Sequence, residues 1–283
     1  MVDPQHAHDA PRGGPRSLAE ELRVRRRLVL FAAQLSATLG RLRVELALAN
    51  GDTAKDAVRS ATKARTSQRL LDIFGVEVHC PRTAATSCAA RPAADRGLLI
   101  VANHRTAFDI GVMMRLFGGV MLSRGDLASW PVIGPLAREG HTIFVDRESG
   151  HSGARAIRAI RRALAALETV SVYPEGTTYI GDDVRPFSPG AFAAARGLPV
   201  DVLPVGLAYD HGVEYFHTSF MTHLEQVAAR PRTRVVVEVG QPFPAEGKSA
   251  ALAERAQQEV QALVTRARAR HQALPEGRGE GCP

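Results

Sequence analysis

Apolar positions along this chain keep two different periods. From Ser17 to about Leu48 they recur at helical spacing, and Ser17 with Glu20 forms a capping-box start, so the stretch reads as one long helix or two. Asn50-Gly51-Asp52 marks a turn, and Thr53 to Phe74 reads as a further helix that Gly75 ends. Val76-Glu77-Val78-His79 alternates apolar with polar, as a half-buried strand does. Beyond it, short apolar runs alternate with helical patterns. Strands are expected at 98–102, 119–122, 142–145, 169–173, 200–208 and 234–239, and helices at 109–117, 131–138, 151–167 and 248–270. Pro81 to Gly97 has no period and reads as a surface insertion. This alternation predicts an α/β fold with a mixed, largely parallel central sheet flanked by helices. In such sheets, ligands bind where strands end and helices begin.

Composition narrows the partners. The 283 residues suit one large domain or two small ones, and 45% apolar content is ordinary for a globular core. A formal charge of +7 points to an anionic partner: nucleic acid, a membrane surface or a phosphorylated substrate. The chain has neither zinc-ligand spacing nor an aromatic-and-basic ribonucleoprotein motif, which argues against nucleic acid. Cys80, Cys88 and Cys282 make an odd count, so a reducing compartment is a simpler expectation than a disulfide framework. No cleavable signal peptide is legible.

The candidate chemistry begins at Asn103-His104-Arg105-Thr106-Ala107-Phe108-Asp109, directly after the run Leu98–Ala102. His104 sits where a strand ends, and Asp109 starts a helix, where a carboxylate meets a favourable dipole. An Asp that turns back onto a His fixes its tautomer and makes it a general base. The plainer reading is a His at a strand end and an Asp capping a helix. Arg147 either binds a phosphate through its guanidinium fork or pairs with Asp146 or Glu148 at the surface. Glu175-Gly176-Thr177 follows another strand; Gly176 permits close backbone approach, and Thr177 can donate to a phosphate. Glu175 is expected to position Arg147 or a substrate hydroxyl. Gly150-His151-Ser152-Gly153 lacks the spacing of a hydrolase nucleophile elbow and reads as a helix start. His141 is expected to be structural.

Four segments, in order, resemble the blocks of the glycerolipid acyltransferase family, the lysophosphatidate acyltransferases: Asn103-His104 with Asp109; Gly140-His141-Thr142-Ile143-Phe144-Val145-Asp146-Arg147; Tyr173-Pro174-Glu175-Gly176-Thr177; and Leu203-Pro204-Val205. Trp130-Pro131-Val132-Ile133-Gly134 is also similar to this family, and the resemblance runs from about Leu70 to Phe243. It implies transfer of an acyl group from acyl-CoA or acyl-carrier protein to a lysophospholipid hydroxyl, foremost 1-acylglycerol-3-phosphate, with no metal, no cofactor and no covalent acyl-enzyme. His104 and Asp109 would be catalytic; Asn103, Arg124, Arg147, Glu175, Gly176 and Thr177 would bind substrate. Thr178 and Ser188 stand where the family usually carries Arg and Lys, whereas Arg124 keeps a basic group where it often has Lys. Those departures keep a lyso-ornithine lipid open as acceptor. The same blocks are also compatible with a CoA-independent transacylase and with a catalytically degenerate lipid-binding protein.

Such acceptors lie in a bilayer, yet the apolar stretch Leu28–Leu39, about twelve residues, is too short to span one. Arg23, Arg25, Arg26 and Arg27 precede it, the pattern of an interfacial helix on an anionic membrane surface. The expected organisation is a disordered tail over 1–16, a membrane-associating helical segment over 17–74, an acyltransferase core over 75–245, and a C-terminal helix and tail over 246–283. The expected location is peripheral, on the cytoplasmic face of the cell membrane.

Overall fold

The computed structural model describes residues 16–81, 95–145, 152–216 and 218–275. The tail expected over 1–16 except Arg16, most of the 81–97 insertion, and Asp146 to His151 with Arg147 lie outside the described residues.

Helix α1 (Leu18–Leu48) is one unbroken helix. At its start Ser17 Oγ accepts from the Glu20 N–H and the Glu20 side chain accepts from the Ser17 N–H, the reciprocal cap the sequence predicts. Helix α2 (Asp52–Phe74) ends on Gly75, whose left-handed φ of 68° supplies the stop. The core follows as β1 (Val76–His79), β2 (Gly97–Ala102), α3 (Asp109–Phe117), β3 (Val120–Arg124), a 3₁₀ turn (Gly125–Ser129), α4 (Ile133–Glu139) and β4 (Ile143–Val145). It continues as α5 (Ser152–Ala165), β5 (Thr169–Val172), α6 (Gly190–Ala195), β6 (Val200–Tyr209), α7 (Phe220–Ala229), β7 (Thr233–Val239), β8 (Phe243–Pro244) and α8 (Ser249–Gln272).

The strands form one sheet in the order β1-β7-β6-β2-β5-β3-β4, with β8 also paired to β6. All pairings are parallel except those of β6 with β7 and with β8. The family block Leu203-Pro204-Val205 therefore falls inside a long central strand. Proline cannot donate to a ladder. Pro204 is tolerated because β7 ends at Val239 and β8 begins at Phe243, and in that gap the Pro204 carbonyl accepts from the Gly240 N–H at 2.9 Å.

Alternation along the strands feeds two cores. On one face Ile100, Leu203, Val205 and Leu207 pack with Leu71, Phe74, Met113 and Leu224, under α1, α2, α3 and α7. On the other Leu99, Val101, Val170 and Val202 pack with Leu164, Phe192, Val260 and Val264 of α5, α6 and α8. Helix α8 crosses β6 so closely that a Cβ on Gly206 would lie 2.6 Å from the Leu263 backbone.

Arg23 and Arg27 do not reach outward as an interfacial helix requires. Arg23 donates to the Ala229 carbonyl at 2.5 Å, and Arg27 to those of Ala228, Arg230 and Pro231, closing the C-terminal end of α7. Beside the exposed Arg25, Arg26, Arg41 and Arg43, α1 presents six large apolar side chains to solvent: Leu18, Leu22, Val29, Leu30, Val44 and Leu48. At 100° per residue they lie opposite its buried side of Val24, Leu35, Thr38 and Leu42.

Candidate functional site

The loop between β2 and α3 builds the site. Asp109, the first residue of α3, is wholly buried, and its Oδ2 accepts the backbone N–H groups of Arg105 at 2.7 Å and Thr106 at 3.0 Å. The same oxygen meets His104 Nδ1 at 2.7 Å. Two main-chain donors thus fix the carboxylate, and the carboxylate fixes the ring. The opposite nitrogen, Nε2, is left for whatever enters beside it. Tyr173 stacks on the imidazole with ring centroids 4.1 Å apart and planes 9° from parallel. Burial, and secondarily the Asp109 charge, holds the phenols of Tyr173 and Tyr209 well above the usual tyrosine range, so both stay neutral.

Glu175 has a different task from the one its motif suggests. Its carboxylate is buried and accepts from the His104 N–H at 2.6 Å, from Arg105 Nη1 at 2.9 Å and from the Arg185 N–H at 2.9 Å. It clamps the base-bearing loop to the loop after β5 and does not line the cavity beside His104. Arg105 completes the clamp by donating to the carbonyls of His104, Gly181 and Asp183. Asn103 also serves the fold and does not line the cavity beside His104. Its side chain is buried and bonds both the N–H and the carbonyl of Leu207 on β6, at 2.8 and 2.9 Å, so its amide is spent on the sheet.

Gly176 and Thr177 do line the cavity beside His104, whose volume is about 520 Å³. Gly176 takes a φ of 80° there. Thr178 and Ser188 line it too, and Thr178 donates to the Tyr215 carbonyl. Through Ala107, Ile110, Leu122, Leu127 and Phe220 this cavity adjoins a second, apolar one of about 250 Å³, which runs beneath α1 and α2 between Phe31, Leu35, Leu70 and Met114. Arg124 is the last residue of β3. His141 lies in the turn before β4, exposed, with a φ of 57°, rather than within a strand. Among the described residues, no three His, Cys, Asp or Glu side chains are grouped to hold a metal ion.

His223 of α7 belongs to none of the motif blocks. It is buried behind the loop, with its Nε2 3.3 Å from the donating Ala107 N–H and 3.2 Å from the Thr106 hydroxyl. Tyr215 stacks on it at 4.8 Å. Burial lowers its pKa to about 4, so it is neutral at pH 7, as an acceptor at Nε2 requires. Its one signal in the sequence is a lone His on the apolar face of a ten-residue helix led by Ser219, a cap that the sequence states plainly.

Known proteins share the sequence pattern and the fold of this chain. The acyltransferase family model matches residues 76–208. A lyso-ornithine lipid O-acyltransferase of Pseudomonas aeruginosa is 30% identical over 83% of this chain and 93% of its own length. A 1-acyl-sn-glycerol-3-phosphate acyltransferase of Neisseria gonorrhoeae is 31% identical over 42% of this chain and 48% of its own. The crystal structure of the 1-acyl-sn-glycerophosphate acyltransferase PlsC from Thermotoga maritima has the same fold, with a TM-score of 0.68 at 18% identity over 91% of this chain and all of that one. With four motif blocks in order, an α/β sheet that brings the first and third together, and a relative matched over nearly its whole length, the chain belongs to the lysophospholipid and glycerolipid acyltransferase family.

Proposed function

We propose that the protein acylates the free hydroxyl of a lysolipid from an acyl thioester, with His104 as general base. The observation that carries this is the His104–Asp109 pair at 2.7 Å, opening onto a cavity that adjoins an apolar one. His104 Nε2 takes the proton of the acceptor hydroxyl as its oxygen attacks the thioester carbonyl. Asp109 stabilises the imidazolium that forms. Collapse of the tetrahedral intermediate releases the thiolate, which takes the proton back from His104. The apolar cavity under α1 and α2 suits an acyl chain, and either acyl-CoA or acyl-carrier protein supplies the thioester without a further cofactor.

Among acceptors, a lyso-ornithine lipid is favoured over 1-acylglycerol-3-phosphate, a reversal of the preference that the motifs alone suggest. Thr177, Thr178 and Ser188 line the cavity beside His104, the last two where the family usually carries Arg and Lys. Hydroxyls at two positions where the family usually carries cations favour a head group that carries its own counter-charge over a phosphate dianion. The near-full-length relative named for lyso-ornithine lipid supports the same choice.

The acceptor and product call for a bilayer. No helix among the described residues is long and apolar enough to cross one. The exposed apolar side of α1, edged by Arg25, Arg41 and Arg43 with Arg26 within it, suits an interfacial helix at an anionic surface, on the cytoplasmic side where thioester donors are made. The full-length protein, offered both acceptors and both donors with mass detection of products, tests the reading. Diacylated ornithine lipid is the expected main product.

A further inference from the structure

A second concavity, outside the reaction site, is cationic. A groove of about 900 Å³ runs between the edge strand β4 and helix α5. Arg155, Arg158 and Arg162 line one wall at i, i+3 and i+7, spanning about 10 Å of helix rise. Arg155 has a partner of its own, and helix α5 contains no acidic residue beside Arg158 and Arg162. Ile143 and the half-buried ring of Phe144 line the other wall. The same helix turns Ala156, Ile157 and Ile160 to the cavity beside His104. One helix therefore separates the reacting centre from a strip of arginines. Helix α5 also packs on the face of the sheet opposite α1, so the groove faces water when the apolar side of α1 lies on a bilayer.

We propose that this groove binds the phosphorylated nucleotide end of the acyl donor, a coenzyme A, an assignment that rests on the acyl-transfer reading above. Closely spaced guanidinium forks match the 3′-phosphate and the diphosphate of one such molecule. Phe144 gives its adenine an aromatic face to lie on. Thr142 lines both this groove and the apolar cavity that adjoins the one beside His104, and the thioester arm follows that side around α5. A folded carrier protein presents a convex surface and fits a concave groove with an aromatic wall less well. Membrane head groups are disfavoured by the groove's place on the far side of the sheet.

Adenosine 3′,5′-bisphosphate, titrated calorimetrically into the full-length protein without acceptor, tests the assignment. The expected result is binding that coenzyme A competes away. Arg158→Ala and Arg162→Ala should each weaken it roughly tenfold or more. Arg158→Lys, which keeps the charge, should retain part of it. In turnover, the Ala variants should raise the acyl-CoA KM and leave the lysolipid KM and liposome binding unchanged; both side chains are exposed, so the variants should melt as the wild type does. Unchanged bisphosphate affinity in the double Ala variant overturns the assignment, as does turnover of acyl-carrier protein by a wild type that ignores the bisphosphate. Bisphosphate binding by a protein that transfers acyl groups from no thioester supports the groove and refutes the acyl-transfer reading instead.

Discussion

Glu175 and Arg105 form a fully enclosed ion pair, 2.9 Å from carboxylate to guanidinium, whose purpose is to hold the backbone of His104. Both partners come from motif blocks, and neither faces the cavity. Removing one member of a buried pair strands the other and typically costs about 3–5 kcal/mol. Glu175→Ala should therefore lower the denaturation midpoint strongly and lose turnover with it. Glu175→Gln, which keeps some hydrogen bonds, should lose part of both. At temperatures where Glu175→Gln is folded, kcat should fall while the acceptor KM holds. A selective rise in acceptor KM would mean that Glu175 touches substrate after all.

His223 links stability to pH. Its folded pKa of about 4 lies below the unfolded value near 6.5, so between those limits the unfolded chain binds the extra proton. The stability its neutral form contributes is complete above about pH 6.5 and lost progressively as pH falls toward 4, on the order of 3 kcal/mol in all. Denaturant unfolding at pH 7 and pH 5 should show a smaller drop for His223→Gln, which can still accept from Ala107, than for the wild type. Equal drops would remove His223 from the account.

The arginines of α1 divide into two kinds, and the division can be measured. Arg27→Ala uncaps α7 and should destabilise the fold without releasing it from liposomes. Leu22→Glu with Val29→Glu touches only exposed positions and should abolish flotation with anionic liposomes while leaving the melting temperature unchanged. High salt alone should release the wild type only in part, because buried apolar area is not screened. Deleting the whole of α1 is a poorer test, since it would expose Phe74 and Leu71. If the double Glu variant still floats, the membrane surface lies elsewhere.

Ser188 offers a direct reading of acceptor charge. It is exposed and lines the cavity beside His104. Ser188→Lys should raise kcat/KM for lysophosphatidate relative to lyso-ornithine lipid by roughly tenfold, the value of one charge-assisted bond. Thr178→Arg is less clean, because the Thr178 side chain is buried and bonded to Tyr215. An unchanged ratio for Ser188→Lys would place the acceptor head group away from this wall.

Where the sequence was readable, the signal was local. Periodicity gives α1 through β2, and α3 through β7 apart from α6 and α7, to within a few residues, because apolar alternation and helical stripes are properties of single segments. The two short helices α6 and α7 escaped it: Gly190–Ala195 is six residues of mostly alanine, too short to show a period. The His104–Asp109 pair was legible because five residues of chain bring it together. The roles of Glu175 and Asn103 were not, since each is decided by a partner at least seventy residues away: the His104 backbone in one case, Leu207 in the other. A motif tells which residues matter to a loop and is silent on whether they face a ligand or the loop itself. Arg23 and Arg27 teach the same lesson, for a basic cluster beside an apolar run looks alike whether it meets lipid or the end of another helix.

The most direct measurement compares wild type with His104→Ala in single-turnover acyl transfer from a thioester to a lysolipid, with folding checked by circular dichroism and melting. Loss of a positioned general base is typically worth about 10²–10⁴ in rate. The account predicts a loss of that size in a His104→Ala protein that melts like the wild type and binds donor and acceptor as tightly. Near-wild-type turnover by that folded variant would contradict it.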